Sequence, residues 1–199
     1  MTRVGRQDAQ DIVSQYLPMF ECLNASGVSY CVVGGIGVML RMLEGEAEEF
    51  RLTRDADVMF DDGFDNADFA QAYLDSYAAT PECARVVYEA LFGEGTLDDL
   101  RNEESRLVNA SFVGAKVAYD GIETPDFDVV RMLNGRALAD LDASPVVFRG
   151  VPIPVASARV LLAMKNETVQ LLMASRAESS RPQDFEDIDM LRRLLEHGA

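Results

Sequence analysis

Long apolar runs are missing from this chain of 199 residues, as are paired cysteines, a second histidine and any stock of lysine. Each shortage narrows the reading. No stretch approaches the roughly 20 apolar residues that span a bilayer, so no membrane is expected as a partner. Cys22, Cys31 and Cys83 lack C-x-x-C spacing, and an odd set of this kind reads as reduced thiols of a cytoplasmic protein. The segment Met1–Arg6 leads into a polar helix rather than an apolar export signal. His197, the one histidine, lies in the terminal tail, away from any catalytic setting. Lys116 and Lys165 are the two lysines among 18 basic residues, so the position of each is worth knowing. Those 18 stand against 34 acidic residues, a formal charge of -16. Such a field repels phosphates at long range, which argues against non-specific DNA or RNA binding while leaving room for a local basic pocket.

What is present is a globular composition: 48% of the residues are hydrophobic, enough for one domain with a sizeable core. Ile12, Tyr16, Met19, Phe20 and Leu23 recur at helical spacing, so one amphipathic helix is expected over about 7–25. Tyr30-Cys31-Val32-Val33 reads as a short buried strand, Gly34-Gly35 as a turn, and Ile36 to Leu43 as a helix stopped by Gly45. A second strand is expected within Arg51–Phe60, then a helix over 64–79 and a short helix near Ala84–Leu91. Leu107–Tyr119 reads as a hairpin around Gly114, Phe127–Val130 as a strand, and Val146–Pro154 as a hairpin turning at Arg149-Gly150. Ser157 is an expected N-cap for a helix to Ala174, and Pro182 the first residue of a last helix to about Glu196. The expected architecture is α/β: a mixed sheet over 1–155 carrying an N-terminal helix, with a helical hairpin over 156–199.

Three short motifs could carry chemistry. In Asp55-Ala56-Asp57, residues two apart on a strand share a face, so both carboxylates converge while Ala56, Val58 and Phe60 face the core. Close carboxylates repel unless a cation or proton lies between them, and hard oxygen donors suit Mg²⁺ shared with phosphate. An exposed acidic strand end reads the same way in so acidic a chain. Gly34-Gly35, between strand and helix, offers backbone amides to an anion or is an ordinary tight turn. Asp126-Phe127-Asp128 repeats the alternation ahead of Val129-Val130.

In this order, Val32-Val33-Gly34-Gly35, then Arg51-Leu52-Thr53-Arg54-Asp55-Ala56-Asp57, then Phe127-Asp128-Val129, the chain resembles a polymerase-β-type nucleotidyltransferase. It is most similar to the AbiEii-type abortive-infection toxin family and its minimal relatives. The run from Leu161 through Lys165 and Arg176 to Asp184-Phe185-Glu186-Asp187-Ile188 resembles that family too, where a lysine-bearing helix precedes an arginine and a D-x-x-D helix. The resemblance implies a mixed-sheet nucleotidyltransferase core, with Asp55, Asp57 and Asp128 as catalytic and metal-binding carboxylates for Mg²⁺ or Mn²⁺. It implies Gly34, Gly35 and Lys165 as nucleotide-binding residues, a nucleoside triphosphate as substrate and a toxin–antitoxin or phage-defence setting with a cognate protein partner. The acceptor stays open among a tRNA end, a protein hydroxyl and a small molecule. Two departures stand out: Gly35 replaces a common serine, and an acidic stretch around Glu44–Glu49 lengthens the gap to Asp55. A retained fold that binds nucleotide or protein without turnover is the competing expectation. A purely structural role, a salt bridge from Asp184 to Lys165 or Arg176 joining the last two helices, stands beside the functional one for Lys165.

Overall fold

A computed structural model describes residues 3–26, 29–53, 55–60, 84–88, 93–95, 113–119, 126–132, 136–174 and 182–198. The expected helix over 64–79 lies outside them.

The N-terminal stripe folds as two helices rather than one, α1 (Arg6–Ser14) and α2 (Leu17–Ser26). Pro18 explains the break. Proline lacks the N–H that an uninterrupted helix would use there, yet it fits a first helical turn. Tyr16, Met19, Phe20 and Leu23 are all fully buried, as the spacing predicts. Strand β2 (Tyr30–Val33) is buried along its whole length and runs straight into α3 (Gly34–Glu44), which ends at Gly45.

The span Arg51–Phe60 divides into β3 (Glu49–Arg51) and β4 (Asp55–Phe60). The first pairs antiparallel with a short β1 (Arg3–Gly5) in a separate two-stranded sheet. The helix expected near Ala84–Leu91 is corrected over its described part: Ala84–Tyr88 is a strand, β5, paired with β6 (Gly93–Gly95). Consecutive Val86-Val87-Tyr88 carries β-branched and aromatic bulk that suits a pleated surface. The hairpin around Gly114 is corrected as well. Val113–Tyr119 is one strand, β7, and Gly114 sits at a register shift inside it instead of at a turn. Strand β8 (Asp126–Met132) begins one residue earlier than Phe127, and the hairpin β9 (Ser144–Phe148) with β10 (Val151–Val155) forms as expected.

These strands make an eight-stranded mixed sheet in the order β6-β5-β7-β8-β4-β2-β10-β9. The β4–β8 and β2–β10 pairs are parallel and the other pairs antiparallel. Ala56, Val58 and Met59 of β4 are fully buried, so this strand is covered on both faces at the middle of the sheet. The turn of the last hairpin has positive φ at Arg149 (49°) and Gly150 (85°), the two-residue type that matches strand twist.

Helices α4 (Ala158–Ala174) and α5 (Pro182–Gly198) close the chain. Ser157 Oγ accepts from the Val160 amide at 3.3 Å, the predicted N-cap. Leu161, Met164, Ile188, Met190 and Leu191 are buried. The buried Arg41 of α3 fastens that helix to the end of the sheet. Its guanidinium donates to the carbonyls of Ala156 (3.0 Å), Val155 (2.6 Å) and Ser144 (3.0 Å), and its Nη1 meets Glu44 at 2.8 Å. Such a planar fork of donors is particular to arginine.

Candidate phosphate and metal site at the start of α3

Val33, the last residue of β2, is the register partner of Asp57. The chain therefore turns into α3 next to the D-x-D strand. Gly34 makes that turn with φ +58°, a backbone conformation that favours glycine. It is required for a second reason: a Cβ at residue 34 would collide with Oδ2 and Cγ of Asp57. The half-buried Asp57 carboxylate thus lies over the first residue of α3, at the end of a helix that favours negative charge.

Gly35 is enclosed differently. A Cβ there would come within 2.5 Å of Thr53 Oγ1 and 2.7 Å of Arg51 Nη2. The serine that the resemblance would put at this position has no room, because a hydroxyl and a guanidinium from the β3–β4 segment already hold the space.

The three expected carboxylates occupy neighbouring register positions. Asp55 stands opposite Asp126 and Asp57 opposite Asp128 across the parallel β4–β8 pair. Alternation puts all four positions on one face of the sheet. Asp126 is thus a paired strand residue. Among the described side chains Asp57 alone of the expected trio is placed, and no group of three metal-binding side chains stands among them. The meeting of the carboxylates themselves falls outside the described side chains. On β7, Lys116 is the register partner of Asp128, so one row across the sheet reads Lys116, Asp128, Asp57, Val33. The scarcity of lysine pointed at Lys116, but no sequence signal tied it to Asp128, because strand order is set by long-range pairing.

Lys165 sits elsewhere in the same neighbourhood. Its ammonium donates to Asp184 Oδ1 and reaches Asp187 Oδ2, both at 2.8 Å. Arg51 binds the second of these carboxylates with both arms of its fork, Nε to Oδ1 at 2.7 Å and Nη2 to Oδ2 at 3.1 Å. Asp184 and Asp187 are each 1% exposed, so two cations and two anions share one dry cluster. Burial pulls the Lys165 ammonium down, but Asp187 and Asp184 outweigh it, and its pKa stands above the ordinary lysine value. The salt bridge between the last two helices is therefore present. Sequence reading named Asp187 only within the D-x-x-D run and gave it no partner: it joins Lys165 of α4 to Arg51 of β3, and Arg51 in turn abuts Gly35. The α4–α5 hairpin is connected in this way to the start of α3.

No family model matches the sequence, and no curated protein is similar to it. Among solved structures, the chain is similar to an antigenic nucleotidyltransferase-like protein from Paracoccidioides brasiliensis. The identity is 15% and the TM-score 0.45, over 97% of this chain and 79% of that one. Among the described residues no helix is long and apolar enough to cross a membrane.

Proposed function

We propose that the protein is a metal-dependent nucleotidyltransferase that moves a nucleoside monophosphate from a nucleoside triphosphate to an acceptor hydroxyl. The observation that carries this reading is the register that sets Asp57 beside Asp128 on parallel neighbours, with Asp57 lying over the glycine start of α3. The donor set fits a hard divalent cation. Like charges on adjacent strands oppose folding unless something positive relieves them, and carboxylate oxygens are what Mg²⁺ or Mn²⁺ takes. Asp55, Asp57 and Asp128 would hold it. Bound there, the ion would stabilise negative charge on the phosphate oxygens.

The remaining roles belong to the chain. The first amides of α3, at Gly34 and Gly35, receive phosphate oxygens. Lys165 balances phosphate charge with the ammonium hydrogen that Asp184 and Asp187 leave over. Asp128 takes the acceptor proton as the new oxygen–phosphorus bond forms and the bond to pyrophosphate breaks. Most of the rate would come from positioning and electrostatics. The resemblance to abortive-infection toxins adds a toxin–antitoxin or phage-defence role, with a cognate protein partner, to the proposal.

Binding without turnover is the second reading, favoured by one observation: two carboxylates already engage Lys165. Labelled nucleoside triphosphates incubated with the protein, Mg²⁺ and fractionated cell extract discriminate the two and identify the acceptor. Asp128→Asn is expected to lower transfer by at least about 100-fold, the lower range for a general base, while Asp126→Asn keeps most of it. Nucleotide binding without label transfer to any fraction would select the second reading.

A further inference from the structure

The far end of the sheet from β6 is β9, and among the described residues its one neighbour is β10. The hairpin register decides which of its backbone groups are spent. Phe148 and Val151 flank a two-residue turn, so they form a hydrogen-bonded pair, and pairs alternate from there. Val147↔Pro152 and Pro145↔Pro154 are then non-hydrogen-bonded pairs. Three of those four residues are prolines, which have no N–H to contribute, and this agrees with the assignment. Pro152 and Pro154 turn towards β2, where β10 makes a single register pair, Val155 with Val32. On the opposite edge, the Val147 N–H and the carbonyls of Val147 and Pro145 point away from the hairpin.

That edge borders a groove of about 530 Å³. One wall is the five consecutive residues Pro145–Arg149, and the other is Arg6 and Gln10 of α1 with Leu43, Glu44 and Glu46 at the end of α3. Consecutive residues from both faces of a strand line a groove together only where the strand's edge forms the wall. Val146 and Phe148 are buried on one face, and the Val147 side chain is 69% exposed on the other.

We propose that this edge is a docking site for an extended, basic peptide segment of a partner protein, added to the sheet as a ninth strand beside β9. One outward main-chain donor between two outward acceptors is a pattern that another strand recognises. Inside the groove Arg6 and Arg149 balance Glu44 and Glu46, with Glu44 held by Arg41, so the selection among strands falls to the field of the whole chain. Arg6 is turned onto the Leu43 and Ala47 carbonyls, and Arg149 lies over the Phe148 ring, 3.8 Å from Asp11. Glu46 stands exposed at the rim, with the carbonyl end of α3 behind it. A second copy of the chain would bring another -16 of charge to the contact, whereas a cationic segment is drawn in by the same field. The proposal is independent of turnover at the aspartate row.

The test uses the full chain and a fluorescein-labelled ten-residue peptide alternating lysine and valine. Its controls are a glutamate–valine peptide and a lysine–valine peptide N-methylated on alternate residues. Fluorescence polarisation is expected to show binding of the first peptide alone, and hydrogen exchange to show protection of the Val147 amide. Val147→Pro removes the outward donor without breaking a hairpin bond, so binding is expected to fall at least tenfold with the melting temperature nearly unchanged. Equal binding by Val147→Pro, or equal binding of the acidic peptide, would overturn the proposal. So would a dimer in sedimentation that Val147→Pro dissolves, since the occupant would then be a second copy. Should Val147→Pro fail to fold, equal binding of the N-methylated peptide overturns it in the same way.

Discussion

Two sets of aspartates, built to opposite rules, flank the start of α3. Asp184 and Asp187 come from one helix and are sealed from water, each within 2.8 Å of a cation. Asp55, Asp57, Asp126 and Asp128 come from two parallel strands and stand in like-charged register pairs. The first set is balanced one for one by this chain's own side chains and reads as a clamp between the helical hairpin and β3. The second places carboxylate positions where sheet energetics alone would not put them.

The comparison breaks most severely if the clamp proves dispensable. Asp187→Ala leaves Arg51 with half-used donors and Lys165 with one partner, in a dry setting. Removing one member of a buried charge set costs about 3–5 kcal/mol, so guanidinium unfolding should show a midpoint far below that of the parent. A loss of a few tenths would mean that the cluster is solvated and its charges screened.

The aspartate row should behave in the opposite way. Mg²⁺ or Mn²⁺ at 100 times its dissociation constant stabilises a folded protein by about 2.7 kcal/mol, visible as a rise in melting temperature. Asp57→Asn should abolish that rise. A metal response that survives Asp57→Asn would place the ion elsewhere.

Gly35 lies where the two sets meet, between Arg51 of the clamp and Thr53 of the strand segment. Gly35→Ser forces its Cβ to within 2.5 Å of Thr53 Oγ1 and 2.7 Å of Arg51 Nη2. Overpacking of this kind costs about 1–3 kcal/mol. Thr53→Ala in the same chain should restore part of the loss, which a double-mutant cycle reads directly. A stable Gly35→Ser protein with unchanged unfolding would show that the pocket yields.

The smallest expected effect is at high pH. Lys165 is held above the ordinary lysine value. Its contribution is therefore fully present below the unfolded lysine pKa, about 10.4, and is lost as pH rises through the higher folded value. Cys31, pushed up to about 12 by burial, loses stability in the same direction above the ordinary thiol value. The two are separated by comparing the parent with Lys165→Met, which share Cys31. The variant's unfolding free energy should fall less steeply above pH 10.4, and parallel slopes would mean that Lys165 does not titrate with unfolding.

Local features of this fold were legible in the sequence. Helical spacing located α3, α4 and α5, turn chemistry located the β9–β10 hairpin, and Asp184 was named as a partner for Lys165 because a lysine in an apolar stripe needs one. The failures share a cause. Ala84–Tyr88 is too short for its period to separate strand from helix, and Gly114 looked like a turn because a glycine at a strand irregularity carries the same local signal. The Asp187 link and the Lys116–Asp128 pairing depend on which distant segments meet. For Asp187 that partner is 136 residues away in sequence, a separation over which periodicity carries no information.

Arg41 has a consequence in time. Its carbonyl partners lie 103, 114 and 115 residues further along the chain. Synthesis at about 5–20 residues per second delivers them roughly 5–23 s after Arg41 itself has been made. Until then β2 and α3 can form only with that guanidinium held by Glu44 alone, on a helix face that will become core. The last third of the chain must arrive before the middle can close, and a ribosome stalled anywhere before residue 156 leaves an unfinished sheet edge open to whatever strand is nearest.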